Sequence, residues 1–401
     1  MSKSAGMPTH PRIPHSAAVT TFPALPVALG GMIAMAGAMG IGRFVYTPIL
    51  PVMIAALHLS KAQAGLIASA NFLGYLIGAL LAAIGTLPGQ RRLWLLGALA
   101  ASGATTAAMG ASDSLPAFLA LRFLGGAASA FVLVLASALV LEHLALVRRP
   151  QLSSLHFAGV GIGIAVSAVT VSSALAAEAT WQQLWFIVGT IVLASCLAVM
   201  LLIPPESRPA AAPGAADRGA TGLSWLIAAY GLFGFGYVIT ATFLIAIVRA
   251  SPDMRSAEAL VWLLVGLTAA PSVALWGRLA ARTGARTAYS LACVLQAIGV
   301  AASVLWPSAI GALLSAVLLG GTFMGLTALG LAEARRLVSD NPRPALAMMT
   351  AAFGLGQVIG PALAGFLSDR AGSFTLPSLV AAGALLAAAL IVQVRPRRRT
   401  R

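Results

Sequence analysis

The stretch "PPESRPAAAPGAADRGATG", residues 204–222, is the longest polar interruption inside a strongly apolar chain. Its Pro, Ala and Gly content marks a flexible linker rather than a regular element. Before it lie six apolar runs bounded by charge, Pro or Gly, near 24–54, 62–85, 92–112, 115–140, 152–176 and 181–203. Six more follow, near 223–248, 257–277, 287–305, 308–332, 346–367 and 375–394. Most are long enough to cross a hydrocarbon layer, which takes about 20 helical residues. Only 9% of the 401 residues are charged and 59% are hydrophobic, with mean hydropathy +0.94. A soluble domain carries about 25% charged residues, so the solvent for this surface is lipid. The expected fold is an all-α polytopic membrane protein of twelve helices. It divides into a disordered cytoplasmic tail (1–21), a six-helix half (22–203), a cytoplasmic linker (204–222), a second six-helix half (223–394) and a basic cytoplasmic tail (395–401).

The net charge of +15 suggests nucleic acid until the charges are placed. With both termini cytoplasmic and loops assigned alternately, 19 of the 25 Lys and Arg fall on the cytoplasmic side and 4 outside. That is the positive-inside pattern. It fits a bacterial-type inner (plasma) membrane and leaves no basic domain for a duplex. The two remaining cations, Arg43 and Arg122, lie inside spans. Cys196 and Cys293 sit in apolar runs and read as small hydrophobes, not as a disulfide or metal pair. No Ser/His/Asp set, metal cluster or phosphate loop appears. The expectation is therefore no enzyme, no metal and no cofactor, and a monomer whose partners are the bilayer and a small molecule.

The two sides of the linker echo each other. "GAMGIGRFVYTP" (37–48) and "GLFGFGYVITAT" (231–242) share glycines at 37, 40 and 42 and at 231, 234 and 236, an offset of 194. "RFLGGAASA" in span four pairs with "VLLGGTFMG" in span ten at an offset of 195. Parallel six-span repeats build one known transporter architecture, with the substrate site at mid-membrane between the halves.

These residues resemble the major facilitator superfamily. "LALRFLGGAASA" (119–130) is similar to its fourth-helix signature, and "GRLAARTGAR" (277–286) to its cytoplasmic loop motif, with "GTLPGQRR" (85–92) as a shortened copy. More narrowly, "GIGRFVYTPILP", "SANFLGYLIGA", "LHFAGVGIG" and "GLFGFGYVITATFL" resemble the YbfB/YjiJ-type branch. The resemblance implies a twelve-helix fold with two six-helix halves related by pseudo-two-fold symmetry. It also implies secondary active transport as symporter or antiporter, and a gating loop at Arg91, Arg92, Gly277, Arg282 and Arg286. The acidic residue usual in that loop motif is absent from both copies, and Ala281 takes its place in the second.

Arg43 is the residue that needs explaining. A buried cation costs roughly 2.5–3.5 kcal/mol at mid-bilayer on insertion scales. Either it snorkels to the outer surface, helped by Pro48 and Pro51 ending the span early, or it faces a central cavity and binds an anion. At the matching position of the second half stands Tyr237, so the shared helix scaffold does not call for the charge. On an α-helix Tyr46 and Thr47 share its face. Arg122 shares a face with Gly126 and Ser129, and is either a ligand and coupling residue or a cation satisfied by backbone carbonyls. Asn71, Tyr75, Tyr237 and Gln357 join Arg43, Tyr46 and Arg122 as the candidate substrate-binding set. His156 is the candidate proton carrier, the one intramembrane side chain that titrates near neutrality, with a satisfied core histidine as the alternative. All ten carboxylates lie in loops or near span ends. Two buried cations without a buried acid favour a small organic anion, moved with proton coupling or exchange. Efflux of amphipathic drugs is the second possibility, and a non-transporting receptor or assembly partner the third.

Overall fold

The computed structural model describes residues 22–83, 87–205, 222–338 and 343–393. The two tails, most of the linker and the loop glycine Gly85 lie outside the described residues. Twelve helices account for nearly all of the rest, because a backbone without water must satisfy its N–H and C=O groups internally. The first half comprises α1 (Ala24–Leu57), α2 (Lys61–Ala83), α3 (Arg91–Ala108), α4 (Leu115–Leu146), α5 (Ser153–Ala176) and α6 (Trp181–Leu202). The second comprises α7 (Leu223–Ala250), α8 (Glu258–Thr283), α9 (Ala285–Leu305), α10 (Ala309–Leu337), α11 (Arg343–Ala371) and α12 (Thr375–Ile391). Eleven are long and apolar enough to cross a membrane, whereas α12, at 17 residues, is shorter. Side-chain caps mark several starts. Ser114 caps α4, Ser308 caps α10, and Thr180 with Gln183 forms a capping box on α6.

The packing repeats six helices on. Within the first half α2 packs on α4, α3 on α4 and α6, and α1 on α5 and α6. In the second half α8 packs on α10, α9 on α10 and α12, and α7 on α11 and α12. The repeated glycines lie at matching seams. Gly40 of α1 abuts Gly163 of α5, and Gly234 of α7 abuts Phe353 of α11. Small residues let backbones approach this closely. The tightest case is α2 on α4, where a Cβ added to Gly126 would overlap the Asn71 carbonyl oxygen and one on Gly74 the Phe123 carbonyl. Backbone cannot move aside as a side chain can. Gly126→Val is therefore expected to cost about 3 kcal/mol or more, at or beyond the top of the usual ~1–3 for overpacking. Folded yield after detergent extraction, read by size-exclusion chromatography, should fall sharply. A wild-type yield would refute the seam.

Three seams join the halves: α2 with α11, α5 with α8, and the second part of α1 with α7. Their polar contacts gather toward the end of the molecule opposite the described chain ends. There the Asp369 carboxylate accepts the N–H groups of Lys61 and Ala62, at 3.0 and 2.8 Å, so α11 caps the N-terminus of α2. Lys61 Nζ returns to the carbonyls of Ser368 and Gly372, both at 3.2 Å. Deeper in the seam, Ser69 Oγ donates to Val358 O and accepts from Ala362 N–H, and Thr47 Oγ1 donates to Ala241 O at 2.6 Å. At the other end the ion pairs among the described residues stay inside each half. Arg91 binds Glu142 bidentately at 2.9 and 2.7 Å, while Arg286 and Arg336 meet on Glu333. These contacts tie α2 to α11 at the end carrying Asp369. Asp369→Asn, which keeps the shape and removes the charge, should loosen that end. A cysteine placed at Ala62 should then react with a membrane-impermeant maleimide several-fold faster, and an unchanged rate would exclude the clamp.

Candidate functional site

The local structure of α1 decides what Arg43 faces. The helix is α-helical to Met35, π-helical over Ala36–Arg43, and α-helical again from Tyr46. The wide turn follows from sequence. Glycines at 37, 40 and 42 remove the side chains that normally enforce the α spacing, and Pro48 has no N–H to give the Phe44 carbonyl. Thr47 N–H takes that carbonyl instead, at 3.2 Å. The carbonyls of Gly42 and Arg43 receive the Arg122 guanidinium, from Nη1 at 3.0 Å and Nη2 at 2.9 Å. Arg122 thus fastens a joint in α1, and Asn71 Nδ2 in turn binds the Arg122 carbonyl at 2.9 Å.

The joint aims Arg43 at the second half. Its side chain is 3% exposed, and Nη2 donates to Gln357 Oε1 at 2.9 Å. Gln357 lies midway along α11 and its Nε2 donates to the Tyr237 hydroxyl, midway along α7. These mid-helix partners exclude a snorkelling arginine. The guanidinium carbon stands 4.0 Å from the Tyr75 ring centroid and 4.6 Å from that of Phe72, within cation–π range. Tyr237 lies parallel, within 9°, to both Phe323 and Phe353, each at 5.7 Å, and Phe44 meets Phe323 edge-on at 5.8 Å. Arg43 Nε has no hydrogen-bond partner among the described residues. One buried cation is thus packed among aromatic rings, with Nε left without a partner among the described residues.

Of the sequence candidates, Arg43, Tyr75, Tyr237 and Gln357 come together directly, with Asn71 and Arg122 one layer behind. Tyr46 does not. An α-helix places it on the Arg43 face, but the π turn and the break at Phe44–Val45 rotate it away. Its hydroxyl binds Ala64 O at 2.9 Å, and its ring lies 5.1 Å from the Arg122 guanidinium and 6.4 Å from Trp185. His156 is also apart, in the first turn of α5, with Nε2 3.1 Å from Ser137 Oγ and Gly31 packed over its ring. In the loop set, Arg92 binds the carbonyls of Ile203 and Met200, while Gly277 and Arg282 lie exposed at the end of α8. Each half instead pairs a loop arginine with a glutamate of the neighbouring helix, Arg91 with Glu142 and Arg286 with Glu333. The rings of Phe44, Phe72, Phe323 and Phe353 complete the cluster without having been candidates. Phe353 carries a signal, one turn before Gln357, and Phe72 adjoins Asn71. Nothing in the sequence marks Phe323.

The family described as "Uncharacterised MFS-type transporter YbfB" matches residues 35–393. No curated protein matches. Among solved structures, a point mutant of the nucleoside transporter NupG is similar in fold, with TM-score 0.70, 14% identity, and coverage of 91% of this chain and 98% of that one. NupG without that substitution gives TM-score 0.68 at 15% identity, covering 92% and 98%. A bacterial homologue of the human lysosomal transporter Spinster, inward-facing and unoccupied, gives 0.65 at 15% identity, covering 92% and 93%.

Proposed function

Since the chain belongs to the YbfB-type family of MFS transporters, we propose that its cargo is a small organic monoanion whose carboxylate binds Arg43. That it is a multi-pass membrane transporter of a small molecule, not an enzyme, follows from the family. The finer assignment rests on one observation, a buried guanidinium with no carboxylate contact among the described residues and an open Nε beside an occupied Nη2. Guanidinium presents a planar fork that suits a carboxylate bidentately. The surrounding rings of Phe44, Phe72, Tyr75, Tyr237, Phe323 and Phe353 favour a cargo with a planar or aromatic body. The halves rock about this site by alternating access. Transport of such an anion is coupled to protons or runs by exchange for a second anion. The positive-inside count supports cytoplasmic termini in an inner (plasma) membrane, and the small loops support a monomer.

The rings also suit amphipathic efflux substrates, which gives the second reading its footing. A thermal-shift screen of purified protein separates the two. The panel is acetate, lactate, benzoate, uridine and a cationic dye, each against wild type and Arg43→Ala. Stabilisation by benzoate or lactate that disappears in Arg43→Ala is the expected result. Stabilisation by the dye or uridine alone would overturn the anion assignment.

A further inference from the structure

The contact between Arg43 and Gln357 crosses from one half of the molecule to the other at the centre of the proposed site. Its geometry is not that of a passing neighbour. Gln357 Nε2 donates to the Tyr237 hydroxyl, and Tyr237 is held between Phe323 and Phe353. That fixes the amide with its oxygen toward Arg43, where Oε1 takes one end of the guanidinium fork at 2.9 Å. The adjacent Nε, in a side chain only 3% exposed, is left without a partner among the described residues. An amide oxygen is neutral and fills one position, whereas a carboxylate is charged and fills both. Charge-assisted hydrogen bonds are about twice as strong as neutral ones. An anion would therefore displace Gln357 from Arg43, and Gln357 would return when the anion leaves.

We infer that Gln357 is a built-in stand-in for the cargo, joining the halves through Arg43 when the carrier is empty. The inference rests on the anion assignment above. Other bridges between the halves, such as Ser69 to Val358 O and Thr47 to Ala241 O, use backbone carbonyls that no cargo replaces. An empty carrier with a central bridge changes access as a loaded one does. It can therefore perform net transport and is not confined to one-for-one exchange. Without the bridge, only the loaded form crosses readily.

Gln357→Met, nearly isosteric and without the amide, tests this in proteoliposomes with radiolabelled benzoate as the probe. The expected result is a ratio of net uptake to benzoate/benzoate exchange at least 10-fold below that of the wild type. Benzoate affinity in a thermal-shift titration should rise several-fold, because its competitor is gone. A purely structural role would lower both fluxes together, and that result, or no change in either, overturns the inference. So does a wild-type protein that moves no benzoate in either mode. Gln357→Ala serves if the methionine variant does not fold. Failure here with anion stabilisation intact in the wild type, and lost in Arg43→Ala, leaves the anion assignment standing.

Discussion

Arg43→Met is expected to lower organic-anion uptake by a factor on the order of 100 or more, in a protein no less stable than the wild type. Both halves of that result follow from the same geometry. Two charge-assisted hydrogen bonds to a buried carboxylate, at about 1.5–3 kcal/mol each, amount to a hundredfold loss or more when removed, since ~1.4 kcal/mol is tenfold. Against that, Arg43 is 3% exposed and its guanidinium meets an amide and the rings of Phe44, Phe72 and Tyr75, with no acid in contact among the described residues. Its burial costs several kcal/mol that cation–π contacts only partly offset. An apolar side chain of similar length removes the cost and keeps the packing. Thermal unfolding of the purified protein and uptake into proteoliposomes should therefore move independently. A variant with wild-type uptake would refute the site, and one that unfolds well below the wild type would make Arg43 a structural residue. Arg43→Lys should fail nearly as badly, since an ammonium lacks the planar fork.

Gln357→Glu is expected to remove transport to a similar degree by the opposite route. The new carboxylate stands where the amide oxygen now lies, 2.9 Å from Arg43 Nη2, with the open Nε beside it. It supplies covalently what the cargo supplies in passing. In a setting without water the pair is strong and its geometry is already built. Thermal stability should rise, benzoate should add no further stabilisation, and both net and exchange fluxes should vanish. Uptake at the wild-type rate would mean that Gln357 does not occupy the anion's place.

The fold is legible in the linear sequence because its signals are periodic and redundant. The linker at 204–222, the alternation of Arg-rich loops and the glycines repeated at 37, 40, 42 and 231, 234, 236 agree on two halves of six. Arg43 stands out because charge in an apolar run is costly wherever it lies. Its neighbours are harder to place. Tyr46 falls on the wrong face because α-helical spacing fails across Ala36–Arg43, where the helix widens to a π turn. Glycines next to a Pro hint at such a turn but do not fix its register. Phe323 is invisible because an apolar ring in an apolar helix carries no mark of the ring it stacks on. The partnership of Glu142 with Arg91 is hidden for a different reason, since the residues are 51 apart and meet only once α3 and α4 pack.

That no carboxylate among the described residues stands beside Arg43 has an electrical consequence. A carrier whose central cation has no fixed counter-charge differs by one elementary charge between its loaded and empty forms when the cargo is a monoanion. Membrane voltage then acts unequally on the two limbs of the cycle, by up to ~2.3 kcal/mol per 100 mV for a charge moved across the whole field. Loading brings the core closer to neutrality, so the limb that carries cargo is less sensitive to potential than the return. A voltage negative on one face would bias the empty, more positive carrier toward that face. Direction of net flux would then be set partly by the membrane itself, through an arginine that the protein leaves for its cargo to neutralise.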